Sequence, residues 1–169
     1  MDIFNHIETI CTSPGDGPPA PVLLALDPGP ARADLVDYMV ERYQRSAVLP
    51  FQAGPDTLIE VCSGNSLNRM YDAFDIIEDA SVYANSAFDG VILMDISDLP
   101  EGYLSEFKQC FEKTCAHASV IFVLPSAPTR TQLRLAETLK LGFPTLRSFC
   151  PPESEPHFTT ARGGPAHVQ

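Results

Sequence analysis

The stretch "DGVILMDISDLPEGYLSEFKQCFEKTC", Asp89 to Cys115, sets two hydrophobic periods side by side. Val91 to Met94 are apolar without a break, so a strand here has no polar face to turn toward solvent. That pattern belongs to a central parallel strand covered on both sides. Beyond Pro100, the residues Tyr103, Leu104, Phe107 and Phe111 recur at the spacing of one helix face. A doubly buried strand feeding an amphipathic helix is a β-α unit, and it sets the class as α/β.

The same alternation runs outward in both directions. Upstream, "PVLLAL" (Pro21–Leu26) reads as a buried strand, and a helix near Ala31 to Tyr43 follows with Leu35, Tyr38, Met39 and Arg42 three or four apart. "TLIEVC" (Thr57–Cys62) is the next strand. Asn65 or Ser66 then caps a helix whose inner face holds Leu67, Met70, Tyr71, Phe74 and Ile77. Downstream, "SVIFVLP" (Ser119–Pro125) is a second fully apolar strand, "TRTQLRLAETLKLGF" (Thr129–Phe143) is a helix ended by Gly142, and "PTLRSF" is a final short strand. The expected architecture is a mostly parallel five-stranded sheet with helices on both faces. Residues 1–21 end in the Pro- and Gly-rich "SPGDGPPAP" and read as an entry segment and linker, 22–150 as the α/β domain, and 151–169, poor in apolar residues, as a flexible tail.

Composition narrows the function. The formal net charge is −11, and the Lys and Arg residues are scattered singly along the chain, which argues against direct nucleic-acid binding by the chain alone. There is no apolar run of bilayer length and no basic region ahead of an apolar core near Met1, so the expected setting is intracellular, cytoplasm or nucleus, with no membrane association. Five cysteines at irregular spacing fit reduced thiols. Cys110, Cys115 and His117 lack a second ligand pair, so no metal is expected. Cys62 ends a strand beside Ser63 and Asn65 without a histidine placed to serve as base, and it reads as a buried thiol. His6, His117, His157 and His167 all fall away from strand ends, so no catalytic residue is assigned. Asp72, Asp75, Glu78 and Asp79 line the outer face of the second helix, either as a solvated face or as an acidic docking surface for a protein partner.

The turn after the first strand, "LDPGPARA" (Leu26–Ala33), stands where a mononucleotide-binding protein carries the phosphate loop G-x-x-x-x-G-K-[ST]. In that frame Leu26 and Ala31 replace the glycines, Arg32 the lysine and Ala33 the hydroxyl, while Pro28 and Pro30 lack N–H donors and Asp27 and Asp34 add negative charge. The stretch Val22–Phe149 resembles the P-loop ATPase class, including AAA+ clamp-loader and recombinase-like cores. The resemblance makes Asp95 the acid that holds magnesium through water, puts Ile96 where the hydrolytic glutamate often stands, and puts Ser126 or Thr129 at a sensor tip. Arg32 and Asp95 would then be vestiges of a nucleotide site. The resemblance implies a non-catalytic interaction subunit or regulator without a cofactor, part of a hetero-oligomer and plausible in a DNA replication or recombination assembly. Three alternatives stay open. Leu99–Phe149 is similar to the C-terminal half of ornithine decarboxylase antizymes, and the small recombinase-like fold of bacterial division inhibitors also lacks a phosphate loop; both imply a stoichiometric inhibitor. A divergent nucleotide hydrolase would use Arg32 and Asp95. Asp95 with Ser126 and Arg147 also suits a receiver domain, although Asp27 stands alone where that family pairs two acids.

Overall fold

The computed structural model describes residues 20–42, 44–45, 57–61, 68, 70–72, 74–75, 78, 90–114 and 117–150. The strands are β1 (Val22–Ala25), β2 (Gln44–Arg45), β3 (Thr57–Val61), β4 (Val91–Asp95), β5 (Ser119–Leu124) and β6 (Arg147–Phe149). The helices are α1 (Pro30–Arg42), α2 (Tyr103–Thr114) and α3 (Arg130–Gly142), and helical residues also occur between 68 and 78. The chain is α/β. Its strands lie in the order β2-β3-β4-β5-β1-β6, and every pairing is parallel.

Among the described residues the sheet has six strands, one more than the five expected. The addition is the two-residue edge strand β2, held to Thr57 and Leu58 of β3 and too short to give a period of its own. The central strands behave as their composition demands. β4 and β5 are buried along their whole length, and alternate residues face two separate cores. On one side Val91, Leu93, Ile121 and Val123 meet Leu24 of β1 and Leu35 and Met39, the inner face of α1. On the other, Ile92, Met94, Val120 and Phe122 meet Leu104 and Phe107 of α2, Leu135 and Leu139 of α3, and Met70. Phe107 is the hub of that second layer, with ring centroids 5.5–6.3 Å from Phe74, Phe111, Phe122 and Phe143.

α2 begins three residues beyond Pro100, and α3 ends at Gly142 as expected. Pro100 and Glu101 form a turn ahead of α2 rather than its first residues: Tyr103 N donates to Pro100 O at 3.0 Å and Leu104 N to Glu101 O at 3.3 Å. Gly142 closes α3 without a left-handed cap, because the cap residue Phe143 has φ −126° and its N–H donates to Leu139 O at 2.8 Å. A Cβ on Gly142 would come to 3.3 Å from Lys108 Cδ of α2, so a larger residue there requires that flexible side chain to shift by a few tenths of an ångström. The Asn65 or Ser66 cap, Leu67, Ile77 and Asp79 lie outside the described residues. Among the described residues no helix is long and apolar enough to cross a membrane.

Candidate functional site

The topology creates one crevice by construction. From β1 the chain departs through α1, on one face, toward the β2 edge. From β5 it departs through α3, on the other face, to β6. Adjacent strands whose outgoing helices diverge to opposite faces leave a cleft beyond their carboxyl ends, where ligands of open α/β sheets bind. The turn Leu26–Gly29, Asp95 at the end of β4, and Ser126 after β5 all converge there.

Each of these groups has found a partner within the chain. The strand extensions stay zipped past the sheet, with Leu26 N donating to Leu124 O at 2.8 Å and Ile96 N to Val123 O at 3.1 Å. Asp27 then spans the crevice mouth: Oδ1 accepts from Ser126 N at 2.8 Å and Oδ2 from Ser126 Oγ. These two donors, with the positive charge of Arg32, hold the Asp27 carboxyl below its usual value, although burial acts in the opposite sense. Gly29 turns the chain into α1 with φ +148°, a conformation that side-chain-bearing residues rarely take. That turn aims the first exposed helical residues so that Arg32 folds back over the strand ends.

Arg32 is the centre of the site. Its Nη1 pairs with Asp95 Oδ2, and its Nη2 donates to Leu26 O at 2.6 Å. The remaining Asp95 oxygen accepts from Ser97 N at 2.9 Å, a local Asx turn. Side-chain exposure is 16% for Arg32 and 11% for Asp95, so the pair is largely withdrawn from water. A planar fork that bridges a carboxylate and a carbonyl suits arginine and not lysine. Behind it, Gln132 Nε2 donates to Ser97 O at 3.1 Å and ties the start of α3 to the Asp95 turn. Arg32 Nε and Ser97 Oγ are buried without a hydrogen-bond partner among the described residues.

These contacts settle where the other candidate residues sit. Arg32 and Asp95, 63 residues apart, are brought together. Asp95 is satisfied by Ser97 and Arg32 and does not cap α2. Ser126 is engaged by Asp27, whereas Thr129 forms a reciprocal capping box with Gln132 at the start of α3. Arg147 pairs with Val22, at the opposite end of the sheet from Asp95, and β1 lies between β5 and β6. Both facts depart from a receiver domain, whose flavodoxin-like order sets β1 beside its second and third strands. Asp72, Asp75 and Glu78 are exposed on the helical residues between 68 and 78, far from the crevice in sequence and on a different element. His117 is exposed at the start of β5, the end of that strand remote from the crevice, and Cys62 and Cys115 lie outside the described residues. Among the described residues no three His, Cys, Asp or Glu groups are placed to hold a metal ion.

A triphosphate with magnesium fits these residues poorly. The cation that would meet phosphate and the acid that would meet metal are paired to each other, and the exposed Asp27 carboxylate stands at the entrance to the crevice. Pro28 and Pro30 supply no amide donors in the turn. Among the described residues, two hydroxyls lie beside carboxylates here: Ser126 Oγ donates to Asp27 at the crevice mouth, and Ser97 Oγ is buried next to Asp95, which is already engaged on both oxygens. Sequence reasoning missed the Asp27–Ser126 bridge, because 99 residues separate two groups that only the strand order makes neighbours. Neither the known protein-family patterns nor the curated protein sequences compared with this chain match it.

Proposed function

We propose that this chain is a non-catalytic protein-interaction subunit or regulator built on an ATPase-like core. Its nucleotide crevice is filled by its own side chains. One observation carries the reading: Arg32, at the position the resemblance gives to the phosphate-binding lysine, is paired with Asp95, at the position it gives to the magnesium-holding acid. A site whose two key charges neutralise one another has little affinity left for a polyanion, since a ligand must first break a largely desolvated ion pair. The work of the protein then lies on its surface, where an assembly for DNA replication or recombination is the setting that the resemblance suggests.

Thermal-shift and equilibrium-dialysis measurements with magnesium and ATP or GTP test the first part. The expected result is no shift and no retained nucleotide. A nucleotide that raises the melting temperature at concentrations near its Kd overturns it. Affinity purification from the native cell tests the second part. A stable protein partner is expected, lost when Asp72, Asp75 and Glu78 are reversed to lysine.

A further inference from the structure

Three large apolar side chains stand exposed among the described residues: Tyr71, Leu133 and Leu141. α3 turns Leu135 and Leu139 into the core, and its outer side presents Arg130, Leu133, Arg134, Glu137, Lys140 and Leu141. Leu141 is 84% exposed and Leu133 50%, more than burial elsewhere in this helix requires. Glu137 is the single acid of α3, and Arg130, Arg134 and Lys140 form no ion pair with a described residue. Residues 103–149 carry six cations against three acids in a chain whose net charge is −11. The face is thus a cationic, apolar island on an anionic protein, and exposed apolar groups of this kind mark interaction surfaces.

The complementary face is on the same molecule. Tyr71, Asp72, Asp75 and Glu78 are exposed on the helical residues between 68 and 78. α2 separates the two faces. Tyr71 Oη donates to Glu106 at 3.3 Å and Phe74 stacks on Phe107, both of α2, while Thr138 of α3 donates to Glu101 at 3.3 Å just ahead of α2 on its other flank. Within one molecule the acidic and basic faces cannot touch.

We propose that a second copy of this chain is the occupant: the Arg130–Leu141 face of one molecule receives the Tyr71–Glu78 face of the next. Carboxylates of Asp72, Asp75 and Glu78 meet Arg130, Arg134 and Lys140. The Tyr71 ring packs against Leu133 or Leu141 and offers its face to a guanidinium. The two patches differ, so the association is heterologous and adds further copies head to tail unless a ring closes. Overall repulsion between two anionic molecules is screened within about 8 Å at physiological salt, and charges in direct contact are screened much less. The proposal rests on the reading that the chain acts by protein association, and names one partner for it.

Sedimentation velocity of the full chain over a concentration series tests it. The mass-average is expected to rise with concentration and to fall as salt is added. R130E/R134E and D72K/D75K are each expected to remain folded by circular dichroism and to lose association at least tenfold. An equimolar mixture of the two, in which one wild-type face of each kind survives, is expected to associate again. Should either charge reversal unfold, L133S/L141S tests the same α3 face at exposed positions. A wild type that stays monomeric at every concentration overturns the proposal, and so do variants that assemble as the wild type does. Nucleotide binding, read separately by thermal shift, would sink the filled-crevice reading without changing the sedimentation result. A monomer that binds no nucleotide would sink self-association alone.

Discussion

Arg32→Met isolates the interaction on which the site depends. The substitution keeps the length and apolar stem of the side chain but removes the guanidinium, leaving Asp95 with Ser97 N as its one donor at 2.9 Å. Asp95 is 8% exposed, so the stranded carboxylate cannot recover its hydration. Breaking one side of a fully buried pair costs about 3–5 kcal/mol, and the 16% and 11% exposure of these side chains lowers the expected loss to roughly 2–4 kcal/mol. In a domain of this size that is a fall in Tm of about 5–15 °C. The Leu26 carbonyl also loses its 2.6 Å donor, which adds to the same side of the balance. Asp95→Asn keeps the acceptor for Ser97 N while removing the charge. The double variant R32M/D95N is therefore expected to be more stable than the two single losses predict, with a coupling of roughly 1–3 kcal/mol. Arg32→Lys should fall between wild type and R32M, since an ammonium cannot span both acceptors. The chain has no tryptophan, so urea unfolding followed by far-UV circular dichroism is the suitable assay, with m-values checked for constancy. R32M within about 0.5 kcal/mol of wild type, or a strictly additive double variant, would refute the claim that this pair is withdrawn from water and mutually dependent.

The remaining predictions address the surroundings of that pair. The native pKa of Asp27 is depressed by Ser126, so the unfolded chain binds the extra proton first as pH falls. Its contribution is complete above the ordinary carboxylate value and disappears as the pH drops through the lower native value. The acid limb of a stability–pH curve should be shallower in Asp27→Asn and in Ser126→Ala than in wild type, and equal limbs would exclude the bridge in solution. Phe107→Ala, at the centre of four aromatic neighbours and with no exposed surface, should cost about 3–5 kcal/mol in the same urea assay. Thr129→Ala removes the capping acceptor of Gln132 N at 3.3 Å and should cost about 1 kcal/mol, with the amide exchange of α3 accelerated first at its N-terminus.

How far the chain could be read without coordinates depended on the range of each interaction. β4 and β5 were legible because a strand buried on both faces must be apolar throughout, and no other placement tolerates Val91–Met94 or Val120–Leu124. α2 was legible because Leu104, Phe107 and Phe111 repeat at helical spacing and all three are buried. The two-residue β2 left no period to read. Gly142 reads as a helix terminator and does end α3, whereas its nearness to Lys108 on a neighbouring helix is a tertiary fact with no local signature. Arg32 and Asp95 were singled out through their places in a motif frame, and they do meet; their pairing with each other depends on the strand order, which puts β5 between β1 and β4. The cations of α3 read as scattered in the linear sequence because Arg130, Arg134 and Lys140 are four and six residues apart. Helical spacing applied to charges makes Arg130 and Arg134 neighbours, with Lys140 about 80° from Arg130 and Glu137 between them.

The arrangement also bears on what a retained acid can mean. Asp95 ends a strand with no exposed residue before it, in a position where a lone carboxylate is costly unless a cation or several donors face it. In the ATPase frame that partner is a bound metal ion. Here it is Arg32, held by the turn at Gly29 and by the Leu26 carbonyl. The acid and the arginine therefore form one structural unit: replacing either alone leaves a buried charge, so neither is free to drift while the other stays. An acid at this position is accommodated by the partners that the fold supplies. None of Asp27, Arg32, Ser97 and Ser126 belongs to either apolar core, so the chemistry of the crevice can be exchanged without disturbing the packing of the sheet. That separation lets strand-end chemistry vary on a constant α/β core, and it extends the search for function to the helical surface.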